Sequence, residues 1–344
     1  MVKKMKQYIK ALSLSASLLM TSTVYSAESS IPALNRLVPY EGETFKDVEI
    51  WGQFDFSGKE LDFTGTSKGS SSYIDSHLNY FFGLNAGLYK GISVRYNYLF
   101  SAQKAVRAQL PKEINTQYHG HDIRLEYSWH FMPTWTLNVQ PFGFRNHEVS
   151  PTGFLAYQSG DITLSREDGG NIMDINSSDK AYLFGVSLGK SFNDETLKLT
   201  AGLETRFLNV DAKFTSPALS GGFFAPIIAK ELPQQTPWKE QHLLLTAAFQ
   251  WQMWEPITVA MDFKHYQIWR NNYQPKAGKQ DYNSNQQFDF YLFANVYKGL
   301  TLYGHAQIMT HYLLGDVPLT YNTRTNHRFD QLYGFLSGGL SYNF

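Results

Sequence analysis

Apolar and polar residues alternate one by one over long stretches of this chain, and that period of two constrains its fold more than any other feature. Leu78, Tyr80, Phe82, Leu84, Ala86 and Leu88 share one parity, and His77, Asn79, Gly83, Asn85 and Gly87 share the other. Ile92, Val94, Tyr96, Tyr98 and Phe100 alternate with Ser93, Arg95, Asn97 and Ser101, and Ile123, Leu125, Tyr127 and Trp129 with Arg124, Glu126 and Ser128. Similar rows run over 197–203, 243–251 and 288–296. Side chains two apart share one face of a strand, so each row is a strand whose faces meet different surroundings. The rows have the ~9–11 residues that a tilted strand needs to cross a bilayer.

The connections fall into two kinds. "LYKGISV", "FMPTWTL", "SFNDETLKL", "MWEPITV" and "VYKGLTL" are tight turns, four of them with Gly or Pro, each followed by an apolar strand start. Long polar segments separate these hairpins near 57–76, 102–119, 146–180, 208–240, 267–286 and 312–330. The pattern predicts an all-β chain: a transmembrane antiparallel up-and-down β-barrel of about 12 strands over 46–344, with short periplasmic turns and long extracellular loops. Tyr89, Trp129, Trp135, Trp251, Trp254 and Tyr297 gather at the tight turns, where an aromatic girdle would meet one membrane interface. Aromatic residues make up 16% of the chain while mean hydropathy is only −0.33. A barrel reconciles the two, because only alternate residues face lipid.

The start of the chain reads as an export signal. Lys3, Lys4, Lys6 and Lys10 precede an apolar stretch from Ala11 to Met20 and then the small residues of "TSTVYSAES". This is the layout of a signal peptide over 1–27, cleaved after Ser26 or Ala27. Its apolar run is too short for a membrane-spanning helix. Removing those four lysines from 30 basic and 30 acidic residues leaves an acidic excess of four, with none of the basic concentration of a nucleic-acid binder. The absence of cysteine excludes a disulfide framework. Residues 28–45 form either a periplasmic lead-in or a segment threading the lumen.

The chain ends on "GGLSYNF", with Leu340, Tyr342 and Phe344 on one parity. This ending resembles the C-terminal signal of bacterial outer-membrane β-barrels. The resemblance implies an outer-membrane location, outer-membrane lipids and lipopolysaccharide as surroundings, and the barrel assembly machinery as a partner that reads those three residues. It is one of class, covers nearly all of the chain after the leader, and names no substrate.

Three motifs suggest other chemistry. Gly185-Val186-Ser187-Leu188-Gly189 matches the G-x-S-x-G of hydrolases, but that serine belongs on a strand-to-helix elbow, and here it sits within an alternating row. The overlapping "GVSLGKS" is one residue short of a phosphate-binding loop. In "HGHD", His119 and His121 share a strand face near His147, yet a metal site needs a third or fourth ligand. His265, His305 and His311 offer no compact catalytic arrangement. The sequence thus predicts no catalytic residues, no metal and no cofactor.

Parity places Arg95, Arg124, Glu126, Lys198, Glu204, Arg206, Asp262, Lys264 and Asp289 on the lumen wall. Lipid-facing charge costs ~2–4 kcal/mol at mid-membrane, so these groups must face water or one another. In the long segment 208–240, Phe223, Phe224, Ile227 and Ile228 form an apolar knot that would narrow a channel mouth from above. The resulting expectation is a porin-like channel for a small hydrophilic solute. A non-transporting barrel, akin to a solitary autotransporter domain or a surface-interaction protein, is the first alternative. An outer-membrane lipid hydrolase is the second.

Overall fold

The computed structural model describes Leu34, Arg36, Tyr40 and residues 47–55, 61–62, 72–107, 112–155, 157–159, 162–164, 173–193, 195–215, 238–271, 283–309 and 333–344. They form β1 (Val48–Asp55), β2 (Leu61–Asp62), β3 (Ser72–Tyr89), β4 (Ile92–Arg107), β5 (Lys112–Met132), β6 (Trp135–Leu155), β7 (Tyr157–Ser159) and β8 (Ile162–Leu164). Then follow β9 (Met173–Phe192), β10 (Leu197–Thr215), β11 (Trp238–Trp254), β12 (Ile257–Asn271), β13 (Ser284–Tyr297), β14 (Leu300–Met309) and β15 (Tyr333–Asn343).

Twelve of these strands, β1, β3–β6 and β9–β15, pair antiparallel with their sequence neighbours. The sheet closes on itself where β1 meets β15, in register from Glu49↔Asn343 to Asp55↔Ser337. β2 extends the far end of β15, while β7 and β8 pair as a separate hairpin. Closure leaves no bare sheet edge, the condition for a β-structure to cross hydrocarbon.

All five tight turns fall where the sequence puts them, between β3 and β4, β5 and β6, β9 and β10, β11 and β12, and β13 and β14. At the first, Lys90 and Gly91 take φ of 45° and 81°. A Cβ on Gly91 would also come within 2.3 Å of the Ser128 carbonyl oxygen, so glycine is required there twice over. Both ends of the barrel lie on this turn side, the Phe344 amide donating to the Val48 carbonyl at 2.9 Å.

The opposite side departs from the sequence reading. Most of 102–119 is paired strand, with β4 and β5 in register from Tyr89's neighbour Ile92↔Tyr127 out to Arg107↔Lys112. β6 likewise continues to Leu155, β9 begins at Met173, and β10 runs to Thr215. A backbone ladder needs no particular side chains, and a strand that has left lipid needs no apolar face. The alternation therefore fades while the pairing continues.

Phe82, Phe184, Phe207, Leu245, Leu292 and Leu340 are among many large apolar residues exposed on the outer wall. Tyr89, Trp129, Trp254 and Tyr297, at the tight turns, are more than half exposed. A continuous apolar surface of this kind belongs in lipid. Leu340, Tyr342 and Phe344 all face outward, the last two rings meeting edge to face at 4.8 Å.

Candidate functional site

The inner wall carries charge in three clusters, two of which reach across the lumen between strands that do not pair, β5 with β10 and β14 with β1. In the first, Arg124 on β5 donates to both carboxylate oxygens of Asp122, at 2.9 and 3.1 Å, and to Glu204 on β10 at 2.9 Å. Arg206 donates to the same Glu204 at 2.5 Å. In the second, Asp289 on β13 accepts from Lys264 at 3.2 Å, from Gln287 at 2.8 Å and from Gln307 at 2.9 Å. His305 completes that group, 3.0 Å from Asp289 by Nε2 and 3.1 Å from the Gln53 amide by Nδ1. In the third, Glu240 accepts from Trp238 at 2.8 Å and Arg270 at 3.2 Å, and lies 2.7 Å from His242. Lys198 is half-buried at the start of β10, near a tight turn.

Another part of the inner wall is aromatic, which strict alternation does not anticipate. Trp51, Ala260, Tyr291, Phe293 and Tyr303 form a buried cluster inside the barrel, with Phe81 packed against it. Tyr291 stacks on Phe293 at 5.6 Å and on His305 at 4.3 Å. The signal for this cluster lies in the sequence: Phe290, Tyr291, Leu292 and Phe293 are apolar on both parities, so both faces of β13 must be covered. Gly83 faces Trp51 across the β1–β3 pair, and a Cβ there would fall 2.1 Å from the indole.

Two residues from before β1, Leu34 and Arg36, lie against the aromatic cluster. Leu34 is 2% exposed and belongs to that cluster. Its amide donates to Glu49 at 3.1 Å, and its carbonyl accepts from Asn85 at 3.2 Å and from Arg95 at 2.5 Å. The Arg36 carbonyl takes a further bond from Arg95 at 3.0 Å. Its guanidinium reaches the other wall, donating to Gln250 on β11 at 2.8 Å and to Asp262 on β12 at 3.0 Å. It also lies over the Tyr291 and Phe293 rings, 5.4 and 5.6 Å from their centres. Arg95 itself pairs with Glu126 at 3.2 Å, and Glu126 accepts from the Tyr40 amide at 3.4 Å. Leu34, Arg36 and Tyr40 thus make contacts with β3–β5 on one side and β11–β13 on the other, in the turn-side half of the lumen. Beside them, Arg36, Arg95, Arg124, Glu126, Gln140 and Glu204 border a cavity of about 60 Å³, room for several water molecules.

Other sequence candidates lie elsewhere. Phe223, Phe224, Ile227 and Ile228 fall outside the described residues, as does His311. Ser187 sits on a regular stretch of β9, accepting from Asn138 at 3.3 Å. His121 faces outward, 3.0 Å from the Tyr96 hydroxyl. Among the described residues, no three metal-binding side chains converge.

Solved structures of similar shape are bacterial outer-membrane barrels. The translocator domain of the autotransporter NalP from Neisseria meningitidis aligns with a TM-score of 0.51 at 9% identity, over 87% of this chain and 88% of that one. The β-domain of the Bordetella autotransporter Brka gives 0.46 at 11% identity, covering 87% and 100%. The NanC porin gives 0.44 at 11%, covering 86% and 100%. At 9% identity the likeness to the first of these speaks for the fold alone, a closed β-barrel of the outer-membrane kind. No protein-family model matches the chain. No curated protein matches it in sequence either.

Proposed function

We propose that this barrel is an outer-membrane channel for small hydrophilic solutes, held shut on its turn side by Leu34 and Arg36. One observation carries the reading: the charged inner wall borders a cavity with room for several waters, and Arg36, which borders it too, comes from outside the wall and is tied across the lumen to Asp262. Twelve strands enclose more space than the side-chain-filled eight-stranded type. Arg95, Arg124 and Arg206 are balanced by Glu126, Glu204 and Asp122, so the lumen suits polar solutes without strong preference for either sign of charge. The turn side would face the periplasm, and the outward Leu340, Tyr342 and Phe344 would present the assembly signal. The reading includes no hydrolytic activity.

The bridge across the lumen also favours a second reading, a non-transporting barrel permanently stopped by its own N-terminal segment. Liposome swelling separates the two. Proteoliposomes bearing the full chain with Leu34→Ala and Arg36→Ala should admit arabinose faster than those bearing the unaltered chain, while both exclude raffinose. Arabinose entry through the variant with none through the unaltered chain would leave the stopped barrel, and equal, negligible entry in both would discard the channel.

A further inference from the structure

Arg36 occupies a socket that belongs entirely to the barrel wall. Gln250 offers a carbonyl oxygen and Asp262 a carboxylate oxygen to the two terminal nitrogens of one guanidinium, at 2.8 and 3.0 Å. The Tyr291 and Phe293 rings stack on each other at 5.6 Å and 6° between planes, and the guanidinium lies within 6 Å of both centres. The side chains of Arg36 and Asp262 are 0% and 1% exposed, so the pair is removed from water. A planar fork meeting two acceptors over an aromatic face selects guanidinium above ammonium: an ammonium is a compact, strongly hydrated point charge that loses more water and has no plane to lay on the rings.

None of the four wall residues belongs to the segment that fills the socket, and Arg36 is tied to Asp262 across 226 positions of sequence. The cation is thus delivered by a residue from outside the wall, and a free molecule carrying the same group makes the same contacts. We infer that this socket is a binding site for guanidinium-bearing solutes, occupied in cis by Arg36, and that such solutes compete with Arg36 for it. As a statement about what passes through the barrel, this rests on the channel reading; as a statement about binding, it stands apart from it.

Competition has a definite cost. A short tether presents its group at an effective concentration in the millimolar range. Leu34 and the Arg95 bonds to the segment's carbonyls raise it further. Free ligand must therefore be supplied at tens of millimolar to displace Arg36 from the unaltered chain, whereas removing the Arg36 side chain should open the socket to millimolar ligand.

Titration calorimetry on the full chain in nanodiscs, with ethylguanidinium as the probe, tests the site directly. Arg36→Ala should bind one ethylguanidinium per chain. Adding Asp262→Asn should weaken that binding at least tenfold, and ethylammonium should bind Arg36→Ala at least tenfold more weakly than ethylguanidinium. In the unaltered chain, 50 mM ethylguanidinium should speed hydrogen exchange at the Leu34 amide, while 50 mM sodium chloride should not. Compact migration of unboiled samples on gels verifies that each variant is folded. A folded Arg36→Ala that binds no ethylguanidinium, or binds it equally well with Asp262→Asn, overturns the site. Binding without any solute entry into liposomes would sink the channel and keep the site; entry without binding would do the reverse.

Discussion

Replacing Arg36 with alanine should undock the segment that bridges the lumen. The side chain makes two charge-assisted or amide hydrogen bonds and covers two aromatic rings, all at essentially zero exposure. Removing one partner of a buried ion pair costs about 3–5 kcal/mol. Here the lower end applies, because water from the adjoining cavity can enter the space and rehydrate Asp262. Leu34, whose burial contributes about 1.5–3 kcal/mol, remains to hold the segment in part. A loss of about 3 kcal/mol raises the undocked fraction roughly a hundredfold, at about 1.4 kcal/mol per factor of ten. The Leu34 amide reports it, since its bond to Glu49 exists only when the segment is docked. Hydrogen exchange at that amide in nanodiscs should accelerate about a hundredfold in Arg36→Ala. Asp262→Asn should produce a smaller increase, because Asn retains an acceptor oxygen. Exchange within threefold of the unaltered chain in Arg36→Ala would show that Arg36 does not hold the segment.

Further outcomes follow from the wall and the terminus. Deleting Phe344, or replacing it with Asp, removes the outward terminal ring and should lower the yield of compact, heat-modifiable barrel; undiminished yield after both changes would refute its part in assembly. Because the chain has no cysteine, single cysteines are unambiguous probes. Cysteine in place of Arg124 should react with a charged thiol reagent in proteoliposomes, whereas cysteine in place of Leu203 should not, and the opposite result would invert the wall. Cysteine in place of Arg95, beneath the Leu34 and Arg36 carbonyls, should react at least tenfold more slowly than at Arg124. Gly83→Ala drives a methyl into the Trp51 ring and should destabilise the barrel by about 1–3 kcal/mol in urea unfolding. Gly52→Ala, whose added Cβ meets Phe82 at an ordinary 3.5 Å, should be nearly silent, and equal effects would remove the packing argument.

How much of this was legible in the sequence depends on what each residue answers to. Lipid imposes alternation on rows such as 78–88 and 197–203, so the twelve strands, their tight turns and the outward Leu340, Tyr342 and Phe344 could be read directly. Beyond the lipid nothing imposes a period, and the paired ends of β4 and β5 looked like loop. The aromatic patch at Trp51, Tyr291, Phe293 and Tyr303 was visible only as a run apolar on both parities. Arg36 was invisible as a site residue, because its meaning comes from partners 214 and 226 positions away on strands that closure brings round to face it. No local pattern encodes such a contact.

Single-channel recording in planar bilayers tests the central claim most directly. The full chain should open only briefly, and the same chain with Leu34→Ala and Arg36→Ala should give stable steps of uniform size carrying cations and anions alike. Stable steps of equal size and open time in both would show that the segment does not close the lumen. Silence in both, with compact barrels verified on gels, would contradict the channel itself.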